Sequence, residues 1–324
     1  MPSSARVQIL VTLATVATVA TVQAATYSVA ETSVGNSFYT NFDFDAISDP
    51  THGRVNYVNE ATARSQNLTF ASSDSFVLRT DYKTVLTASG AGRNSVRLKS
   101  KKLWNSHVTV IDLRHMPQAC GTWPAVWEFA PTPEWPYGGE VDIIEGVNDQ
   151  GANQAALHTD SGCSMSNLQQ TGTLVHADCN SFVDGNTGCT VQFTKANSYG
   201  PSFNNAGGGY FAMERTTTAI KIWFWPRSGG GAPSDVVNGA SSVNTDNWGT
   251  PMANYNNNNC NINAKFAASN IIINLTLCGD WAGQAAIWAQ SACASQGDCV
   301  SYVNNNPAAF TNAYFDFKAL RVYA

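Results

Sequence analysis

Tyr137-Gly138-Gly139-Glu140-Val141-Asp142-Ile143-Ile144-Glu145-Gly146 places three carboxylates within six residues of an otherwise apolar run. A short stretch of Val and Ile bounded by glycines reads as a β-strand. In a regular strand the side chains alternate between faces, so Glu140 and Asp142 share a face on which Ile144 would come next. Glu145 would then point the wrong way. One extra residue, a bulge at Ile143 or Ile144, returns Glu145 to the face of the other two acids and leaves Val141 and one isoleucine for the core.

Outward from this segment, runs rich in Val, Ile, Phe, Tyr and Thr recur between clusters of Gly, Asn, Ser and Asp, the pattern of an all-β chain. The clearest are 75–79, 95–98, 107–113, 140–145, 219–224 and 271–275. No long stretch has helical periodicity, and only 284–290 calls for a short helix. Near the end, Phe315 and Phe317 alternate with Asp316 and Lys318, but Leu320 and Val322 continue one residue out of phase. A bulge near Lys318 or Ala319 repairs that phase. Strands over about 300 residues with few helices predict two large antiparallel sheets packed as a concave β-sandwich rather than a small barrel. A curved sandwich of that kind offers a long groove, which suits a polymer chain.

Three acids on one surface resist simultaneous ionisation, so at least one is expected to stay protonated near neutral pH. Glycoside hydrolysis with retention needs that division of labour: one carboxylate as nucleophile, one carboxylic acid as proton donor, roughly 5–5.5 Å apart. Four strand steps separate the two glutamate backbones by about 13 Å, so their side chains must lean together. Acidic surface decoration or a calcium site are the bland alternatives. Neither explains Trp123, Trp127 and Trp135 immediately upstream, because a hard cation has no use for indoles. Aromatic faces do match the apolar faces of sugar rings. Trp127 and Trp135 flank the acids and are assigned to a cleft, whereas Trp123, Trp223 and Trp225 sit in dense apolar contexts and are assigned to the core.

The remaining features bound the setting. Residues 1–24 carry Arg6, an apolar stretch from Val7 to Val22 and, at the junction, small Ala24 followed by Ala25, the layout of an export signal cleaved after Ala24 or Ala25. Residues 25–324 then form one domain of a secreted, extracellular protein. The formal net charge of -5 becomes one unit more negative without Arg6, and only 13% of residues are charged, leaving no basic patch for nucleic acid. No second apolar span or hydrophobic tail suggests a membrane partner. Eight cysteines in an exported chain predict disulfides with the pairing open, and no CxxC or HExxH pattern argues for zinc. Asn67-Leu68-Thr69 and Asn274-Leu275-Thr276 are glycan acceptors by pattern, but Asn274 lies in an apolar strand where a glycan would clash. The glycine triplets 207–209 and 229–231 lack the strand-and-helix context of a phosphate loop.

At this point the chain resembles glycoside hydrolase family 16, and within it the fungal secreted laminarinase-like endo-β-1,3(4)-glucanases. The similarity runs through Asp49 to Val58, Gly121 to Trp127, Gly139 to Asp149, Leu157-His158-Thr159, Asn274 to Gly283 and the closing AYFDFKALRVYA. It implies a jelly-roll sandwich with the acidic strand across the groove and β-glucan polysaccharide as the partner. Position by position it implies Glu140 as nucleophile, Glu145 as acid/base and Asp142 as the residue that tunes Glu140. His158, Trp127, Trp135 and Trp281 would contact the sugar. No cofactor or metal is implied, and a monomer is expected. By pattern alone a lone strand histidine is structural, so His52, His107, His115 and His176 are assigned to structure or surface. A wall-remodelling transglycosylase would use the same two glutamates, and a non-catalytic glucan-binding lectin would be expected to lack one of them.

Overall fold

The computed structural model describes residue 1 and residues 25–149, 151–166 and 169–324; the expected export signal at 1–24 therefore lies, apart from residue 1, outside the described residues. Among the described residues no helix is long and apolar enough to cross a membrane. Two antiparallel sheets pack face to face. The first has eight strands in the order Thr173–His176, Cys189–Gln192, Gln154–His158, Glu140–Glu145, Thr122–Phe129, Asn270–Leu277, Arg97–Ser100 and Phe42–Phe44. The second has nine, with His107–His115, Gly209–Arg215 and Ala219–Pro226 at its centre and the closing strand Tyr314–Tyr323 beside His107–His115. A further parallel pair joins Val55–Tyr57 to Arg93–Ser95.

The core between the sheets follows the alternation of each strand. Ile271, Ile273, Leu275 and Leu277 point inward from one sheet and Ile111, Leu113, Phe211, Ile222 and Phe224 from the other. Their partners in alternation, Asn270, Ile272, Asn274 and Thr276, turn to the opposite face with the acids. A second apolar layer lies on the far side of the nine-stranded sheet, where Trp223, Trp225 and Tyr210 pack under Trp248, Val236 and Val243. Trp223 and Trp225 are core residues, as their apolar contexts predict. The closing strand shifts register between Phe317 and Ala319, the bulge that its change of phase requires.

Two local expectations need correction. Besides Ala285–Gln290, short helices form at Ser37–Asn41, Glu60–Ser65, Gly200–Asn205 and Cys299–Asn305. Each is under two turns, too short to print a periodicity, and the ends at Glu60 and Cys299 are set by side-chain caps from Asn59 and Asp298. The stretch 95–98 is not one strand but the junction of two, Arg93–Ser95 and Arg97–Ser100, which pair with different partners. All eight cysteines pair, as Cys120–Cys293, Cys163–Cys260, Cys179–Cys189 and Cys278–Cys299. Two of these bonds bind the C-terminal helical segment to the start of the strand Thr122–Phe129 and to the end of Asn270–Leu277.

Candidate active site

The acidic strand spans Glu140–Glu145 between Thr122–Phe129 and Gln154–His158. Glu140 lies opposite Phe129 and His158, and Asp142 opposite Trp127 and Ala156. The register then slips: Ile144 faces Val126 and Glu145 faces Ala125, so Ile143 is the extra residue. That bulge brings Glu145 to the face of Glu140 and Asp142. It buries both isoleucines in the core, not one, because the two residues of the bulged step turn to the same side. The bulge leaves a carbonyl and an N–H without ladder partners, and buried Asn153 supplies both: its Nδ2 donates to the Ile143 carbonyl at 3.0 Å and its Oδ1 accepts from Glu145 N–H at 3.1 Å.

Indoles hold the acids. Trp135 Nε1 donates to Glu140 Oε2, and Trp123 Nε1 donates to Glu145 Oε1 at 2.9 Å. Trp123 is therefore at the site rather than in the core. Its position shows why: 123, 125, 127 and 129 share one face of their strand, so Trp123 precedes Trp127 by two full periods. Trp281 meets Trp123 edge to face with centroids 5.7 Å apart. Trp127 Nε1 donates to Asn274 Oδ1 at 2.6 Å, and the Arg97 guanidinium lies 5.0 Å from its ring centroid. Asn274 in turn donates to the Tyr57 hydroxyl at 3.2 Å and is only 8% exposed, so the second glycan sequon is closed.

His158 sits beside the acids through cross-strand register, with Nε2 3.3 Å from Asp142 Oδ2 and Nδ1 2.9 Å from Asn186 Oδ1. The Asp142 contact is an ion pair without good hydrogen-bond alignment. Ligand-type atoms of Glu140, Asp142 and His158 lie within 4.8 Å of one another. His158 Nδ1 is engaged by Asn186, so the ring presents Nε2 to the carboxylates. The other histidines are structural or peripheral. His107 pairs with Glu128 at 2.9 Å between the sheets, His115 stacks on Tyr314, His52 meets Asp280 at the surface, and His176 binds the Gly188 carbonyl.

The electrostatics separate the acids. Glu140 and Glu145 keep an exposed edge but are otherwise enclosed, and Asp142 is buried. Burial, then the charge of Asp142, pushes Glu145 up to about 8. Burial and the neighbouring Glu140 charge raise Asp142 to about 7. Glu140 is also raised by burial, but the charge of His158 and the Trp135 hydrogen bond oppose the rise. His158 loses basicity by burial and regains more from Asp142 and from the charges of Glu140 and Glu145, which push it up to about 10. The face thus offers one carboxyl that holds a proton at neutral pH and another that a cation helps to ionise.

The chain is similar to known proteins over most of its length. A family model described as the XgeA-like catalytic GH16 domain matches residues 42–323. A probable endo-1,3(4)-beta-glucanase of Aspergillus fumigatus is 42% identical over 310 residues, covering 93% of this chain and 46% of that protein. The chain spans about half the length of the first curated relatives it matches. Laminarinase 16A from Phanerochaete chrysosporium, solved with two beta-glucans in its donor and acceptor sites, is 56% identical with a TM-score of 0.91, covering 93% of this chain and all of that one. An elongating family 16 beta-1,3-glucosyltransferase is 35% identical with a TM-score of 0.82, covering 92% of this chain and all of that one.

Proposed function

The chain belongs to glycoside hydrolase family 16, and from that footing we propose that it is a retaining endo-β-glucanase acting on β-1,3 or mixed-linkage β-1,3(4)-glucan. The observation that carries the reading is the bulge at Ile143, which aims Glu140 and Glu145 from one strand onto one indole-lined face. Glu145, protonated at neutral pH, gives its proton to the glycosidic oxygen as Glu140 attacks the anomeric carbon. The glycosyl–enzyme ester then breaks when Glu145, now a carboxylate, takes a proton from water and the hydroxyl displaces Glu140. Asp142 and His158 hold the charge balance of Glu140, and Trp127, Trp135 and Trp281 take the sugar faces.

Substitution tests the reading directly. Glu140→Gln and Glu145→Gln should each lower turnover of soluble laminarin by about a hundredfold or more. Turnover within a few-fold of the parent in either variant overturns the assignment. We read residues 1–24 as the cleaved signal of a secreted, monomeric enzyme and 25–324 as its catalytic domain, a reading supported by four disulfides. N-terminal sequencing of the exported protein checks the cleavage point, and sedimentation its monomeric state.

Transglycosylation is the second reading, supported by the similarity to the glucosyltransferase. The same covalent intermediate serves both outcomes, and the acceptor that reaches it decides between them. Products longer than the substrate, growing with added laminari-oligosaccharide, would favour transfer.

A further inference from the structure

The ring of His158 is gripped from the side away from the acids by a loop that none of the proposed chemistry touches. Residues 180–188 connect Cys179 to Cys189, which are joined as a disulfide, so both ends of the loop are tied together beside Leu157 and His158. The loop is internally bonded: Val183 N–H donates to the Asn180 carbonyl, Asn186 N–H to the Val183 carbonyl at 3.0 Å, and Thr187 Oγ1 to the Asp184 carbonyl at 2.6 Å. His176 clamps it from outside, with Nδ1 2.7 Å from the Gly188 carbonyl and Nε2 3.1 Å from Asp184 Oδ2. Gly188, at φ +63°, lets the backbone come so close that a Cβ there would sit 2.8 Å from Cε1 and 2.9 Å from Nδ1 of His158. Asn186, itself at φ 61°, presents Oδ1 to Nδ1 at 2.9 Å.

We propose that Asn186 is a positioning residue: by accepting the hydrogen bond of His158 Nδ1–H it fixes the ring with Nε2 toward Asp142 and keeps a cation beside Glu140. The proposal rests on the reading of Glu140 as nucleophile. The charged groups that bear on the ring are Glu140, Asp142 and Glu145 of the acidic strand. From the loop the ring meets only uncharged Asn186 and Gly188, because Asp184 is engaged by His176. An acceptor at Nδ1 commits that nitrogen to carrying a proton, so any basicity left resides at Nε2, where Asp142 draws a second proton. With a cation there, Glu140 ionises more readily. Without the acceptor, a buried N–H loses its partner and the neutral ring, or a turned one, becomes favourable.

Two measurements on the folded, disulfide-bonded protein test this. In Asn186→Ala the acid limb of kcat/KM on laminarin should move up by about one pH unit, the lower end of what a neighbouring charge does to a carboxyl. Asn186→Asp, which keeps an acceptor and tolerates the left-handed backbone, should keep the parent limb. Independently of turnover, the titration midpoint of His158 in ¹⁵N-histidine spectra should fall in the alanine variant and not in the aspartate one. An alanine variant with the parent melting temperature, the parent limb and the parent His158 midpoint overturns the proposal. So does lost activity with both titrations unmoved, which is the signature of a merely structural loop. Should the alanine variant not fold, a fall in the His158 midpoint of the aspartate variant overturns it. Should the parent cleave no glucan, the functional reading fails while the His158 midpoint still decides the role of Asn186.

Discussion

Asn153 Oδ1 accepts the backbone N–H of Glu145 at 3.1 Å. The same side chain donates to Ile143, so one buried amide closes both ends of the break that the bulge makes in the ladder. Asn153→Ala leaves a carbonyl and an N–H without partners in an enclosed strand. A loss of about 1–3 kcal/mol in denaturant unfolding is expected. Because the freed segment carries Glu145, kcat should fall more than KM rises, whereas an equal rise in KM with kcat unchanged would contradict a role in aiming the acid.

Trp123 gives Glu145 a hydrogen bond that favours the ionised carboxylate and so holds back the rise caused by burial and Asp142. Trp123→Phe keeps an aromatic ring against Trp281 and removes only the donor. The proton on Glu145 then becomes harder to lose, and the alkaline limb of kcat should move to higher pH. A limb that stays in place or moves down would show that the indole does not tune the acid.

Glu145 also makes stability depend on pH. Its folded value, about 8, lies above the ordinary 4.5, so the folded state holds the proton more tightly. The stabilisation is complete below about 4.5 and is lost as pH rises through about 8. Glu145→Gln cannot ionise and escapes that loss, at most about 1.4 kcal/mol per pH unit crossed. Its melting temperature relative to the parent should therefore climb between pH 4.5 and pH 8. A constant difference across that range would mean that Glu145 titrates normally in the folded chain.

Of the two glycan sequons, Asn67 is exposed on a turn and Asn274 is 8% exposed with its amide engaged by Trp127 and Tyr57. Peptide mapping of the exported protein should find sugar at Asn67 and none at Asn274. Asn274→Ala should in turn release the Trp127 indole and raise KM for laminarin by several-fold, roughly the loss of one buried hydrogen bond. Unchanged KM would place Trp127 outside the substrate's path.

The alternation of apolar and polar residues was enough to read an all-β sandwich, and the break in that alternation between Asp142 and Glu145 was enough to read a bulge. Both are local properties: side-chain direction in a strand depends only on position along it. The same logic, carried two periods back from Trp127, would have placed Trp123 beside the acids. Its dense apolar neighbourhood pointed to the core instead.

The acids, their common face and the indoles upstream are legible along the chain, because strand geometry and charge repulsion act within a few residues. Which amides serve them depends on how distant segments meet in the fold. Asn153 reaches the bulge from the residue just before the next strand, and Asn186 reaches His158 across 28 residues from a loop closed by Cys179 and Cys189. Asparagine leaves no periodic trace, and a hydrogen bond forms only where the chain's return path brings donor and acceptor within about 3 Å. The four cysteine pairings belong to the same class, since sulfurs separated by up to 173 residues meet only once the sheets have packed.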